Sequence, residues 1–463
     1  MSRSSKIPLF AIIVPLLVSL ACNFSTGGSD SESESDATLV PTGESSGTIR
    51  TIPTTESGAE PTSLPAIASS SSSSDSMSED TVLMMKEPIF IQDETNLITV
   101  FVFENLDTNA GIEEIEYTVI ASDADGVTIK TETGFIEYLP AGERTGVASQ
   151  MFLEEGQVAE FVDIEWTYYT DATGSVDYPF SFENPHYYFD PFWDRFTTVM
   201  VNNSSTTYTN VRVDMIAYDS TGIVIGGGYT SVNLVPGNNQ VGLSINGFVT
   251  NDPVTYEFFP RYSILTNEIE DANLLADLSV LKSGFFFNET TLGGGFLVQN
   301  TTDEVLKSSQ YYLTIYEEDG TVAQVASGYI DLIWPGQTQG VSPGSVTLSE
   351  GANPNKFDVF VLAGNPEEDE LSTNPLTAQD VTIVSDDFFP RVSVTIANAH
   401  SENIENPFVT VLLYNAQDEI IGGGYTYPDP IPANGSLTYD VYVTHVTAEP
   451  PARIEAFPTM TGW

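Results

Sequence analysis

A fourfold internal repeat limits what this 463-residue chain can fold into. A short polar turn recurs four times after about residue 84, and the last residues of successive copies lie 96, 98 and 98 positions apart. Each turn is preceded by a segment ending in apolar-x-Asn and followed by a Gly-aromatic pair and a proline. Four landmarks in one order predict one supersecondary unit built four times. The turns end at Gly126, Gly222, Gly320 and Asp418; the asparagines are Asn105, Asn203, Asn300 and Asn398; the prolines are Pro140, Pro236, Pro335 and Pro432.

The pattern inside each copy is typical of strands. In the second copy, residues 196–201 and 211–218 alternate apolar and polar positions, and no window has sustained helical periodicity. Gly222 can adopt the left-handed conformation that a bulged hairpin needs. Two facing sheets would bury the alternate positions. The expected fold is all-β, with four tandem immunoglobulin-like β-sandwich domains of seven or eight strands each, after a signal peptide and a disordered acidic linker.

The strand before the turn resembles the hallmark of the FxLYD domain, an aliphatic-Tyr-Asp step followed by x-x-Gly. The first copy departs most, because it has Ser122 where the other three have a tyrosine. The resemblance covers most of residues 84–463 and implies an extracytoplasmic immunoglobulin-like fold, but very little about a ligand. The matching steps are Tyr218-Asp219, Tyr316-Glu317 and Tyr414-Asn415.

The N-terminus is typical of a secretory signal peptide. Arg3 and Lys6 precede an uncharged run at residues 7–21 that is short for a membrane-spanning helix. The end of the run resembles the bacterial lipobox, although Ser19 replaces the usual aliphatic residue, and the resemblance implies that Cys22 carries a lipid. An ordinary signal peptide or an uncleaved anchor is the alternative. Cys22 is the only cysteine, so no intramolecular disulfide is possible.

Residues 23–80 are a low-complexity stretch of Ser, Thr, Gly, Pro, Asp and Glu, for which we expect disorder and a spacer role. The predicted segments are a signal peptide at 1–21, a tether at 22–83, and sandwiches at 84–177, 178–268, 269–368 and 369–463.

The charge balance restricts the possible partners. The chain has 65 acidic and 14 basic residues, and a net charge of -51 disfavours nucleic acids and anionic lipid head groups. The expected partners are the membrane, through a lipid on Cys22, and an unidentified protein or glycan. The expected location is the cell surface or the periplasmic face of a membrane.

Two groups of residues are candidates for ligand binding. The densest aromatic stretch, residues 186–196, could stack on sugar rings through Tyr187, Tyr188 and Trp193. Corresponding positions of later copies are also aromatic, so packing in a core or at a domain junction is the alternative. Asp123 and Asp125 are weak calcium candidates, with a purely structural turn as the alternative. No other metal site and no cofactor is predicted.

Two glycine triplets, at 226–228 and 422–424, lack the helix and Lys-Ser/Thr of a phosphate loop, and we expect them to permit a bulge or the close passage of another strand. No zinc spacing and no Gly-x-Ser-x-Gly elbow occurs, so we predict no catalytic residues and no enzyme activity. The expected function is a display, adhesion or interaction scaffold. The alternatives are a glycan- or peptide-binding module around residues 186–196, and a hydrolase with an unrecognised site.

Overall fold

The computed structural model describes residues 83–169, 178–189, 194–263, 265–269, 275–367, 371–384, 390–447 and 450–461, which belong to one compact unit. This part of the chain forms 28 β-strands whose pairings are antiparallel, so the predicted all-β class is confirmed. No helix in these ranges is long and apolar enough to cross a bilayer. The predicted signal peptide, Cys22 and nearly all of the predicted tether lie outside the described residues.

Sandwich 1 shows the arrangement that the other copies repeat. Its two sheets have the strand orders β1-β2-β5 and β4-β3-β6. We call the first the forward sheet and the second the rear sheet, and use the same names for the corresponding sheets of each copy. Alternate residues such as Phe101, Tyr117 and Val147 point between the sheets and form the core. The strands are β1 Leu83–Asp93, β2 Asn96–Asn105, β3 Ile112–Ser122, β4 Thr128–Leu139, β5 Arg144–Phe152 and β6 Phe161–Tyr169.

Sandwich 2 joins its forward sheet, β7-β8-β12, and its rear sheet, β11-β10-β13, into one sheet of six strands, ordered β13-β10-β11-β12-β8-β7. The first glycine triplet makes this possible, because β12 pairs directly with Gly226, Gly227 and Gly228 of β11. A Cβ at Gly226 would lie 2.0 Å from the carbonyl oxygen of Phe248, so the predicted close passage of a strand is confirmed. The strands are β7 Phe180–Tyr188, β8 Asp194–Asn202, β9 Thr207–Thr209, β10 Val211–Tyr218, β11 Val224–Val232, β12 Gln240–Val249, β13 Thr255–Arg261 and β14 Asn267–Ile269.

Sandwiches 3 and 4 complete the series. In sandwich 3 the forward sheet is β15-β16-β19 with β20 also on β16, and the rear sheet is β18-β17-β21 with β22 also on β17. In sandwich 4 these sheets are β23-β24-β27 and β26-β25-β28. The strands are β15 Leu278–Phe287, β16 Thr291–Asn300, β17 Val305–Glu317, β18 Val322–Ile333, β19 Thr338–Val341, β20 Ser345–Thr347, β21 Pro354–Leu362, β22 Asn365–Glu367, β23 Leu376–Val384, β24 Arg391–Asn398, β25 Pro407–Tyr414, β26 Ile420–Thr426, β27 Ser436–Tyr442 and β28 Arg453–Met460.

Each sandwich rests on two three-stranded sheets, so the expectation of seven or eight strands is wrong for sandwiches 1 and 4, which have six each in the described residues. Short strands such as β9 and β22 supplement this plan in sandwiches 2 and 3. Ile269 and Leu275 pack against the core of sandwich 2, so that sandwich extends slightly past the predicted boundary at residue 268.

A buried asparagine holds the loop after the second strand of each copy. Asn300 donates from Nδ2 to the carbonyl oxygens of Glu304 (2.8 Å) and Ile333 (2.9 Å), and its Oδ1 accepts from a backbone N–H two residues later. In sandwich 2 the residue with these bonds is Asn202 rather than the Asn203 that the sequence pattern indicates. The pattern is shifted by one residue there because two asparagines are adjacent.

Candidate functional site

The four sandwiches pack on one another face to face. The forward sheet of each copy covers the rear sheet of the next, so that a continuous stack of sheets runs through the described chain. At the first junction, side chains such as Val100 and Val102 of β2 meet Ile216 and Tyr218 of β10 in a separate apolar cluster. Comparable clusters contain Val199 with Tyr316 and Val322 at the second junction, and Leu412 with Tyr414 and Leu297 at the third. Both faces of most sheets are therefore buried.

The tyrosine of the FxLYD-like step is a junction residue. Tyr218, Tyr316 and Tyr414 lie on the outer face of their rear sheets and are buried against the preceding sandwich. The first copy, which has Ser122 at this position, has no preceding sandwich in the described residues. The tyrosine is therefore present where a junction has to be filled, and the departure of the first copy from the pattern has a physical reason.

Cations gather around these tyrosines in a chain that has few of them. The Arg453 guanidinium lies 3.6 Å from the centre of the Tyr414 ring, and Lys356 Nζ lies 5.3 Å from that of Tyr316. Both cations stay partly exposed at the edge of their junctions, where a cation–π contact is worth about 0.5–1 kcal/mol. Seven of the eleven lysines and arginines after residue 80 lie at junctions: Arg144, Arg195, Arg212, Arg261, Lys282, Lys356 and Arg453.

A glycine on β5, β12 and β19, the equivalent strands of sandwiches 1, 2 and 3, lets the facing sheets approach each other. A Cβ at Gly146 would lie 2.3 Å from Ile216 Cγ1 across the first junction, and one at Gly242 would lie 2.2 Å from Thr314 Cγ2 across the second. At the third junction, a Cβ at Gly340 would lie 2.3 Å from the Phe457 ring. These three positions have equivalent registers, since each pairs with the residue three before the buried asparagine.

A buried ion cluster fastens the first junction. Asp214 of β10 is fully buried; its Oδ1 accepts from Arg212 Nη2 (3.0 Å) and from Arg261 Nη2 (3.3 Å), and its Oδ2 forms an ion pair with Arg261 Nε at 2.8 Å. Burial alone would raise the pKa of Asp214, but the attraction of Arg212 and Arg261 holds it below its usual value. The cluster reaches into sandwich 1, because Asp214 accepts from the Ala148 N–H (3.0 Å) and Arg212 donates to the Ala148 carbonyl (2.7 Å).

The second junction uses different polar contacts. The Tyr312 hydroxyl donates to the Gly242 carbonyl oxygen (2.8 Å), and the Gly242 N–H donates to Thr314 Oγ1 (2.8 Å). At its periphery the Tyr188 hydroxyl donates to Glu317 Oε1 (2.7 Å).

The third junction has a third set of contacts. Thr459 Oγ1 donates to the Leu332 carbonyl oxygen (2.7 Å), and Lys282 and Arg453 both form ion pairs with Asp418. Because each junction has its own donors and acceptors, the polar contacts favour packing of each sandwich on its neighbour in the chain over packing on any other sandwich.

Of the predicted aromatic site, Tyr188 lies at the second junction and Tyr187 packs within sandwich 2. Tyr188 is 7% exposed and packs in the core cluster of sandwich 3. Burial and its hydrogen bond to Glu317 raise the pKa of Tyr188 above the usual value. Tyr187 is half-buried, with its hydroxyl bonded to Asp194 Oδ1 (2.6 Å). Both side chains therefore take part in packing, whereas Phe189 in the same stretch is 66% exposed and Trp193 lies outside the described residues.

The predicted calcium residues belong to a structural turn. Asp123 Oδ1 accepts from the backbone N–H groups of Asp125 (3.0 Å) and Val127 (2.9 Å), and the Asp125 side chain is exposed. Gly126 and Gly222 close their turns with φ of +75° and +81°, which confirms the predicted left-handed glycine of the second copy. Within the described ranges, no group of three or more His, Cys, Asp or Glu side chains is arranged to hold a metal.

An aromatic cluster that the sequence reading missed lies beside the third junction. Tyr425 and Tyr427 are 43% and 65% exposed, and their rings lie 5.6 and 4.9 Å from that of Phe408. In sandwich 2 the equivalent of Phe408 is Arg212, which covers the ring of Tyr229 at 3.8 Å. The sequence signal was the step Tyr425-Thr-Tyr427, which places two tyrosines on one side of a strand end.

Comparisons with known proteins add little. No protein-family model and no curated protein matches the chain. Solved structures similar to it include a β-glucuronidase from glycoside hydrolase family 2 (9% identity, TM-score 0.13, 74% of this chain and 31% of that one). Another is a Salmonella α2-macroglobulin (9% identity, TM-score 0.11, 82% of this chain and 30% of that one). The chain spans less than a third of either structure, and at these TM-scores neither likeness carries an argument about function.

Proposed function

We propose that the chain is an exported, lipid-anchored surface protein whose interlocked sandwiches form a non-enzymatic scaffold for display or interaction. The observation that carries this proposal is the set of three junctions. Inter-domain contacts that are apolar and closely packed hold domains in one arrangement, whereas small polar ones allow them to move. Four sandwiches held in one arrangement form a rigid body, which would present its outer surface in a fixed orientation, as a display or interaction scaffold requires.

The use of charged groups supports a structural role. Asp214, Arg212 and Arg261 neutralise one another at the first junction, and Asp418 is bonded by two cations at the third. Catalytic sites keep titratable groups with perturbed pKa values inside an accessible cleft. In the described chain the Arg212–Asp214–Arg261 cluster is instead closed between two sheets, where a substrate would have to separate the sandwiches.

The lipid anchor and the surface location can be tested on cells that produce the protein. With an epitope at its C-terminus, the chain is expected to incorporate radiolabelled palmitate and to lose the epitope when intact cells are treated with proteinase K. Cys22→Ser is expected to abolish the labelling. Palmitate labelling that survives Cys22→Ser, or an epitope that stays protected even after removal of any outer membrane, would refute the anchored surface location.

A glycan-binding function is the second candidate, and the cluster of Phe408, Tyr425 and Tyr427 is the observation that favours it. Exposed tyrosine rings offer apolar faces with polar edges, which suit stacking on sugar rings. Tyr427→Ala should then abolish binding on a glycan array. Tyr442→Ala is the matched control, because Tyr442 is 62% exposed on the forward sheet of sandwich 4. Equal effects of the two variants, or no binding by the native chain, would reject this candidate.

A further inference from the structure

The stack ends on two sheet faces that no other sandwich covers in the described chain: the rear sheet of sandwich 1, β4-β3-β6, and the forward sheet of sandwich 4, β23-β24-β27. Elsewhere a forward face meets a rear face. These two terminal faces have the same strand order as the faces that meet at the three junctions. A forward face of one molecule could therefore meet the rear face of a second copy, and such a head-to-tail contact would not close on itself.

The rear face of sandwich 1 differs from the docked rear faces at equivalent positions. Ser122 stands at the position of the junction tyrosine, so the ring that packs against the preceding sandwich in the other three copies is absent here. Glu165, which pairs with Thr118, is an exposed acid where the docked rear sheets carry an aromatic ring. The aromatic residues at the positions of Glu165 are Phe259, Phe360 and Phe457.

The forward face of sandwich 4 differs in a matching way. Thr438 stands where the docked forward sheets have the glycine that lets the next sandwich approach. Its partner Thr395 replaces an aliphatic residue, and the two hydroxyls are hydrogen-bonded to each other at 2.8 Å. The aliphatic residues at the positions of Thr395 are Val102, Val199 and Leu297.

We infer that these substitutions are caps, and that they keep the chain from polymerising head to tail through its own junction geometry. Docking would take the Glu165 carboxylate out of water without a partner, which is costly. The Thr438 side chain would occupy the space where a Cβ at each junction glycine already comes within 2.3 Å of the opposite sheet. Repeat arrays in general need polar outer faces on their end units. This inference concerns self-assembly and does not depend on the proposed anchor or display role.

The experiment restores junction residues at one end at a time. A rear-uncapped chain carries Ser122→Tyr with Glu165→Phe, and a forward-uncapped chain carries Thr395→Val with Thr438→Gly. Each full chain, purified in mild detergent, is examined by sedimentation velocity at about 10 μM, where a complex of micromolar affinity is populated. We expect each variant alone to sediment as the native chain does, an equimolar mixture to form a one-to-one complex, and a chain with all four changes to form long polymers.

Several results would overturn the inference. Uncapped chains with native circular dichroism that do not associate when mixed would show that the caps are not what prevents docking. Self-association of either variant alone would show a different interface, and polymers of the native chain would show that the faces are not caps. If a double substitution prevents folding, Glu165→Phe and Thr438→Gly as single changes give the same mixing test with a smaller perturbation.

Discussion

Replacing Asp214 with alanine would leave two arginines at the first junction without the carboxylate that they share. Arg261 is almost fully buried and Arg212 is mostly buried, so little water can replace the lost ion pairs. The Ala148 N–H would also lose its acceptor. Removing one partner of a buried ion pair typically costs about 3–5 kcal/mol, and we expect a loss of that size in the free energy of unfolding.

The assay is urea denaturation of the full chain together with hydrogen exchange. Asp214→Ala should lower the midpoint of the transition that includes sandwiches 1 and 2 and should expose the Ala148 amide to exchange. Asp440→Ala is the control, because its ion pair with Arg391 is exposed and is worth less than about 1 kcal/mol. An Asp214→Ala chain as stable as the control, with Ala148 still protected, would refute the assignment of this cluster as a junction lock.

The same variant has a pH signature. The pKa of Asp214 is lower in the folded chain than its unfolded value of about 3.9. A group with a depressed folded pKa adds stability above its unfolded pKa, and that stability is lost as pH falls through the folded value. The difference in stability between the native chain and Asp214→Ala should therefore be constant near neutral pH and shrink only below about pH 3.9.

Three further predictions concern other parts of the stack. Asn202→Ala should lower the free energy of unfolding by about 1–3 kcal/mol, because two backbone carbonyls lose a buried donor, while Asn203→Ala should change it by less than about 0.5 kcal/mol. If chemical denaturation shows that Asn203→Ala is the more destabilising change, the buried asparagine is Asn203, as the sequence pattern predicted. Gly242→Ala should cost about 1–3 kcal/mol by thermal denaturation, because its Cβ would overlap Thr314, and a neutral effect would contradict the close approach at the second junction. Burial raises the pKa of Asp331 to about 6, so its contribution to stability is present below its unfolded pKa and lost as pH rises through about 6; Asp331→Asn should flatten this dependence, and an unchanged pH profile of unfolding would refute it.

The repeat and its turns could be predicted because they depend on local chemistry. Gly222 has to be left-handed to close its hairpin, and the side chain of Asp219 has to accept the backbone N–H groups that the turn leaves open. Val211–Tyr218 forms a strand with the bounds that its alternation indicates. The two-residue period of apolar positions was therefore enough to predict this strand and the side chains that face the core.

The junctions could not be predicted because alternation says nothing about what covers an outward face. Tyr218 and Ile216 lie at outward positions of a strand, where exposure is the simpler expectation, and only the neighbouring sandwich buries them. The burial of Tyr188 could not be predicted for the same reason: an aromatic residue in a polar stretch indicates a ligand surface, and it is the next sandwich that buries the ring. The sequence does carry two signals, the missing tyrosine at Ser122 and the glycines of β5, β12 and β19, but they can be interpreted only once the stacking of the sheets is known.

Packing of each forward sheet on the next rear sheet is the central claim, and an engineered disulfide tests it most directly. Cys22 is the only native cysteine, so Gly242→Cys with Thr314→Cys can be introduced into a Cys22→Ser chain. A Cβ at 242 would lie 2.2 Å from Thr314 Cγ2, so the two positions are in direct contact and we expect them to crosslink under mild oxidation of the folded chain, seen as one disulfide-linked peptide pair by mass spectrometry. Free thiols at both positions in a folded chain would show that sandwiches 2 and 3 do not meet through these sheets.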